Sequence, residues 1–317
     1  MKELSVGFIG FGEAAYYISS GLRSEGICHI YAYDINNEDP VLGPQIKERA
    51  NSLQVKMTDS PQKLLLHSYC LFCATSANTA EPIAKELAPH IRDKKIYVDI
   101  NAASPAVKNR IAALLKDTPA VFVDGAVMDS VPPYKHKVPL LVSGEGAEEF
   151  ADIAGQWGMN VTVIDGTAGN ASAIKMFRSI FMKGFSMLLL ETLAASHSYG
   201  VSDLILKSLQ TTLSKPLPDL ADLLLTRTVL HTKRRITEME EVIGALRGLG
   251  IEDSMSLATK NKLQHLDNLK LREYFNHQQP DRYTQVIEAI CRLSANVKGD
   301  EHARESEFNR WNESPQT

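Results

Sequence analysis

The stretch that most constrains this chain is its first thirty-odd residues. Val6 to Ile9 is a short apolar strand, Gly10-Phe11-Gly12-Glu13-Ala14-Ala15 follows as G-x-G-x-x-A, Glu13 to Glu25 can form a helix ended by Gly26, and His29 to Tyr33 is a second strand closed by Asp34. Each small residue has a physical role. Gly10 permits the tight turn, Gly12 lets backbone N–H groups approach a pyrophosphate at the positive helix end, and Ala15 lets the helix pack close to the strand. The spacing alone is weak, but strand, helix, second strand and acid at the expected offset are four conditions met together. The stretch therefore reads as a dinucleotide site using Gly10, Phe11, Gly12, Glu13 and Ala14. A carboxylate at Asp34 would accept hydrogen bonds from the ribose hydroxyls and repel a 2'-phosphate, so NAD is the preferred cofactor and NADP the alternative.

The remaining expectations are bounded by size and composition. With 317 residues, two domains are expected, each able to bury its own core. A formal net charge of -4 argues against general nucleic-acid binding, and no apolar run reaches membrane-spanning length. Cys28, Cys70, Cys73 and Cys291 follow cytosolic usage, and Cys70 and Cys73, on one buried strand, read as core packing rather than a metal or redox pair. The strand starting at once after the N-terminus leaves no room for a signal segment, so a cytoplasmic location is expected, with no metal.

Short Val/Ile strands alternate with helices up to about residue 165, the α/β, mainly parallel pattern of a Rossmann-like domain. Ser60-Pro61 and Ser104-Pro105 are helix starts with a capping serine and a proline at the first helical position. Thr75 and Ser76 follow the strand Tyr69 to Ala74, and Asn101 follows Ile96 to Ile100; both turns would border the nicotinamide. From residue 166 the texture becomes all-α. Helices are expected over Ala171 to Tyr199, Ser202 to Leu213, Leu217 to Leu249, Ser254 to Leu266 and Tyr283 to Ala295. The division is thus residues 1–165 as the dinucleotide domain, 166–297 as a helical substrate and dimerisation domain, and 298–317 as a polar tail. The long apolar helix Ala171 to Tyr199 predicts a homodimer.

Lys175, near the start of that helix, is a cation among apolar residues. It reads equally as a proton relay beside a nicotinamide or as a lysine reaching to solvent from a helix flank.

Three passages bear on that choice: GFIGFGEAA at the start, Asp124-Gly125-Ala126-Val127 at a strand exit, and GTAGNASAIKM around Lys175. Together they resemble the β-hydroxyacid dehydrogenase family, in which the second passage is a D-A-P-V-S-G-G-like substrate loop and the third is G-x-x-G-x-G-x-x-x-K. The resemblance covers the first 180 residues and implies a hydride transfer between NAD(P) and a small hydroxy acid or polyol acid. It also implies that Lys175 is the catalytic acid/base, Ser179 helps orient substrate, and Ala126, Val127 and Met128 border it. Two positions depart from the pattern. Ser179 stands where relatives carry Asn, and Met128-Asp129-Ser130 replaces Ser-Gly-Gly. The chain is most similar to a phosphogluconate-dehydrogenase-like subgroup that shares the K-M-x-R-S passage and has a helical C-terminal domain of uncharacterised function.

That C-terminal part holds His231, Lys233, Arg234, Arg235 and Glu238. On one helix His231, Arg234, Arg235 and Glu238 fall on one side, as a clamp for an anionic substrate or as a solvated basic face. The function expected is a dinucleotide-dependent dehydrogenase of a small anionic molecule. Imine reduction by the same hydride geometry and a non-catalytic dinucleotide sensor or scaffold are the alternatives.

Overall fold

The computed structural model describes residues 5–295, which divide after Phe181 into two compact units. The first is built on an eight-stranded sheet: β1 (Val6–Ile9), β2 (Ile30–Tyr33), β3 (Lys56–Met57), β4 (Cys70–Cys73), β5 (Lys95–Asp99), β6 (Ala120–Val127), β7 (Leu140–Ser143) and β8 (Val161–Val163). The order is β3-β2-β1-β4-β5-β6-β7-β8, parallel throughout except where β6 and β7 run antiparallel. β1 pairs with β2 on one side and β4 on the other, Val6 lying opposite both Ile30 and Cys70. The direction of winding reverses between β1 and β4, and that reversal opens a crevice at their carboxyl ends, where the glycine turn lies.

Helices fill the crossovers: α1 (Glu13–Ser24), α2 (Gly43–Ser52), α3 (Pro61–His67), α4 (Ala77–Leu87), α5 (Pro105–Leu115), α6 (Val131–Tyr134) and α7 (Ala147–Gln156). The serine-proline starts form as the sequence predicts: Ser60 Oγ accepts the Lys63 N–H at 3.2 Å and Ser104 Oγ accepts the Val107 N–H at 3.4 Å. Two apolar clusters cover the sheet. One is centred on Phe8, Phe11, Phe72 and Phe150, the other on Leu64, Leu71, Tyr97 and Ile111. Both cysteines of β4 are buried and unbridged within these clusters.

Two local expectations change. The strand expected to end at Val123 continues to Val127, because β7 pairs with its second half, Asp124 opposite Ser143 and Val127 opposite Leu140. The helix expected from about Glu81 to Leu87 begins instead at Ala77, where Thr79 Oγ1 accepts the Ser76 N–H and closes the first turn of α4.

α8 (Asn170–Ser198) starts in the first unit and ends in the second, which continues with α9 (Ser202–Leu213), α10 (Leu217–Leu230), α11 (Thr232–Gly248), α12 (Ser254–Asn268), α13 (Leu271–Tyr274) and a helix α14 over 283–295. The single helix expected from Leu217 to Leu249 is broken. His231 leaves helical geometry (φ -123°, ψ 23°), and Thr232 Oγ1 donates to Asp267 Oδ1 at 2.8 Å, which ties the start of α11 to α12. No proline or glycine marks that break. Glu191 on α8 closes the start of α12, its carboxylate accepting the N–H groups of Met255 and Ser256 and the Ser256 hydroxyl. The core of this unit is small, gathered on Val229, Leu269, Leu271, Val286 and Ala289. No helix among the described residues is long and apolar enough to cross a membrane.

Candidate functional site

The glycine turn has the geometry that a phosphate cradle requires. Gly10 sits at φ +83°, and a Cβ there would meet the Ala74 carbonyl oxygen at 2.6 Å, so only glycine fits. At Gly12 the reverse holds: a Cβ would meet nothing within 4 Å, and the helix N-terminus stands open to a ligand. Asp34, at the end of β2, braces the turn. Its Oδ2 accepts the Phe11 N–H at 2.7 Å and its Oδ1 accepts the Asn36 N–H at 2.9 Å. The Phe11 side chain is fully buried beneath the turn and its N–H is taken by Asp34, whereas Glu13 is exposed and Ala14 half-buried. The open helix end, the obligatory glycine and the acid that closes the next strand fit a dinucleotide on the chain's own geometry.

Thr75 and Ser76 are exposed at the turn after β4, beside the glycine turn: the Thr75 side chain is among the atoms a Cβ at Gly10 would meet. Asn101, after β5, is buried; its N–H donates to Asp99 Oδ1 at 2.9 Å and its side-chain amide to Cys73 Sγ at 3.3 Å. Burial, with the nearby Asp99 carboxylate adding to it, pushes the Cys73 thiol up to about 12. The thiol is thus neutral and packs rather than reacts.

The densest polar construction of this unit lies at the carboxyl end of β5 and the middle of β6. Lys108 Nζ, fully buried, donates to Asp99 Oδ1 at 2.8 Å and to the Asp99 carbonyl at 2.7 Å, and lies 3.3 Å from Asp124 Oδ1. Asp124, also fully buried, turns Oδ2 to the start of α8, accepting the N–H groups of Gly169 at 2.9 Å and Ser172 at 3.0 Å, while the Ser172 hydroxyl donates to Oδ1 at 2.5 Å. Ser143 Oγ donates to the same carboxylate and accepts the Ala171 N–H at 3.0 Å. Two carboxylates thus share one ammonium, and the second of them holds the first turn of α8. That anchor carries the first compact unit past the composition change at residue 166 and onto α8.

Lys175 is half-buried, three residues beyond Ser172, and Ser179 is half-buried one turn later on the same side of α8. Ala126 is buried at the end of β6 and Val127 and Met128 are half-buried beyond it; Asp129 is exposed and accepts the Ser130 N–H.

In the second unit His231 is exposed as the residue that precedes α11, its carbonyl accepting the Arg235 N–H at 3.0 Å. Arg234 pairs with Glu238 at 3.2 Å, and Arg235 donates to Thr228 Oγ1 at 2.8 Å. Both arginines line a cavity of about 470 Å³ that does not include His231.

Sequence reasoning passed over Asp99, Lys108 and the anchoring role of Asp124. A signal existed: Lys108 shares a face of α5 with Ile111 and Leu115, all three at most 1% exposed, and a lysine on an apolar stripe needs a buried partner.

Residues 196–266 match a domain of unknown function (DUF1932). A conserved hypothetical protein from Sinorhizobium meliloti 1021 is 32% identical over 92% of this chain and 97% of its own, with a TM-score of 0.58. A conserved protein of unknown function, described as structurally similar to 3-hydroxyacid dehydrogenases, is 34% identical over 84% of this chain and 97% of its own, with a TM-score of 0.58. A reductive aminase from Aspergillus terreus, solved with NADPH and ethyl-5-oxohexanoate, is 18% identical over 86% of this chain and 99% of its own, with a TM-score of 0.64, a likeness of fold. With two solved relatives above 30% identity over most of its length, the chain belongs to a β-hydroxyacid dehydrogenase-like family with a helical C-terminal domain.

Proposed function

We propose that the protein is a nicotinamide-dinucleotide-dependent oxidoreductase, with NAD preferred, acting on a small anionic hydroxy acid or polyol acid. The observation that carries this reading is the glycine turn: an obligatory glycine at Gly10, an open helix end at Gly12, and Asp34 bracing the loop from the next strand. Gly10 and Phe11, whose own N–H groups go to the Tyr33 carbonyl and to Asp34, would shape the turn on which the pyrophosphate lies, with the N–H groups of Gly12, Glu13 and Ala14 at the helix end to hold it. Asp34 would take the adenosine ribose, and Thr75, Ser76 and Asn101 would border the nicotinamide. A dinucleotide bound there supplies the hydride acceptor or donor.

Lys175 is the proton relay. In the oxidative direction its neutral amine takes the hydroxyl proton as the carbonyl forms, and in the reverse direction its ammonium returns that proton to the developing alkoxide. Ser179, one turn on, orients the substrate hydroxyl, and Ala126, Val127 and Met128 shape the substrate side. The anchored first turn of α8 supports this assignment, since a relay must be held within a fraction of an ångström to act. The protein works as a homodimer, supported by the exposed apolar residues of α8, among them Phe177, Ile180 and Leu190. Four unbridged cysteines accord with a reducing cytoplasm.

Imine reduction is the second reading. It is favoured by Met128-Asp129-Ser130 in place of the Ser-Gly-Gly loop, which removes the two glycines that let backbone approach a substrate carboxylate closely and adds an acid, and by the fold shared with the reductive aminase. The test is the change in nicotinamide absorbance over a panel of hydroxy acids, with NAD and NADP separately, beside cyclic imines with the reduced cofactors. Oxidation of a hydroxy acid supports the first reading and reduction of imines alone the second. Tight dinucleotide binding with no turnover in either arm points to a sensor.

A further inference from the structure

The cavity between α10, α11 and α12 lies wholly within the matched domain of unknown function and is a second candidate binding site. Its rim carries Arg234, Arg235 and Lys262 against the single carboxylate of Glu238, and its floor is apolar, formed by Met239, Leu263 and Leu266. At about 470 Å³ it has the size of small-molecule pockets, which run from about 300 to 1,000 Å³.

The cations are unequally committed. Arg234 is neutralised by Glu238, one turn away on the same helix. Half-buried Arg235 makes a single side-chain hydrogen bond, to Thr228 Oγ1, and among the described residues no carboxylate pairs with it or with Lys262. A guanidinium has five N–H donors, so Arg235 keeps donors at the cavity unmatched by any described residue. Its position is fixed from behind: the Thr228 hydroxyl donates to the Leu224 carbonyl at 2.6 Å, which leaves an oxygen lone pair to accept Arg235. Neighbouring bonds stiffen the frame, Thr232 to Asp267 across α11 and α12, and Arg247 to Asp253 at 2.7 Å in the turn between them. A cation held in one orientation by a neutral group, beside a second unpaired cation and above an apolar floor, is arranged for an oxyanion that brings an apolar body with it.

We infer that this cavity binds a small organic oxyanion, a carboxylate or phosphate monoester whose head meets Arg235 and Lys262 and whose apolar portion lies on Met239, Leu263 and Leu266. The site is complete within the second unit, and the inference stands whether or not the oxidoreductase reading does.

The experiment is calorimetric titration of the full-length protein, saturated with ADP-ribose to occupy the dinucleotide turn, with four probes: acetate, hexanoate, inorganic phosphate and phenyl phosphate. Hexanoate and phenyl phosphate are expected to bind at least about tenfold more tightly than acetate and inorganic phosphate, and more weakly as salt rises. Arg235→Ala and Lys262→Gln are each expected to weaken them on the order of tenfold, with Arg235→Lys restoring only part of the loss. Met239→Ser should narrow the margin of hexanoate over acetate. Lys262 is exposed and bonds to nothing among the described residues, so Lys262→Gln keeps the test valid if Arg235→Ala does not fold. Absence of binding in the wild type at millimolar probe, or affinities unchanged in Lys262→Gln and every folded Arg235 variant, would overturn the inference. Tighter binding of phenyl phosphate than hexanoate identifies a phosphate ester as the occupant, and the reverse a carboxylate.

Discussion

The two units handle charge and apolar surface in opposite ways. In the first, the charged groups that matter are fully buried and bonded to each other: Lys108 lies between Asp99 and Asp124, and Asp124 holds the backbone of α8. The sheet above them is sealed by large apolar clusters on both faces. In the second, the arginines and lysines stay at the surface, the core is a handful of residues, and large side chains such as Leu190 (63%), Leu204 (68%) and Leu217 (65%) remain open to solvent. A unit that satisfies its groups internally can hold a reaction geometry. One that leaves apolar faces and cations uncommitted is fitted to bind, whether a second copy of the chain or an anion.

The contrast breaks most severely if the buried ion network is not what holds the first unit. Lys108→Met leaves two buried carboxylates without their cation, and a loss of about 3–5 kcal/mol is expected in the unfolding free energy of that unit from denaturant titration. A loss below about 1 kcal/mol would place the network at the edge of the unit's energetics rather than its centre. Gly10→Ala comes next. A methyl group at φ +83° and 2.6 Å from the Ala74 oxygen should cost roughly 1–3 kcal/mol and reduce dinucleotide affinity, both readable in one thermal-shift titration.

The second unit is tested by a change that should leave its own fold intact. Leu190→Asp is expected to shift stability by at most about 0.5 kcal/mol while converting a dimer to a monomer in sedimentation. A monomeric wild type at micromolar concentration would rule out the dimer. The smallest expected effect is electrostatic. Lys94, hydrogen-bonded to Glu149 at 2.8 Å, holds that carboxyl below the usual glutamate range, and the Tyr69 hydroxyl adds to the effect. Because the folded value is the lower one, the contribution is present above the ordinary glutamate range and lost as the pH falls through the depressed value. Lys94→Ala should therefore lower stability slightly in the neutral region, with the difference from wild type vanishing as the pH falls through the depressed value, so that the acid limb of a stability-against-pH curve is flatter.

How much of this was legible in the sequence follows from how far apart the interacting residues are. The glycine turn, Asp34 and the serine-proline caps are short-range devices, and each formed where its spacing predicts. The all-α second half was legible from texture, but the break at His231 was not, since it is tied by Thr232 to Asp267, 35 residues away. The same reason hid the centre of the first unit. Asp99, Lys108, Asp124 and Ser172 come from two strands and two helices, and no local pattern joins them. Met128-Asp129-Ser130, read as a disturbance of the substrate loop, proves to lie just beyond a strand longer than expected, with Asp129 facing solvent. Arg234 and Arg235 were visible as a basic cluster. The cavity they share with Lys262 was not, because it needs α12 beside α11.

The measurement that bears most directly on the oxidoreductase reading is a comparison of wild type with Lys175→Ala, taking two quantities from the same preparation. These are the dissociation constant of the dinucleotide and the single-turnover rate of nicotinamide absorbance change with the best substrate of the panel. The expected result is an unchanged dissociation constant and a rate lower by about 10² to 10⁴, since only the proton relay is removed. A Lys175→Ala protein that turns over at the wild-type rate, or a wild type that binds dinucleotide and turns over nothing, would contradict it.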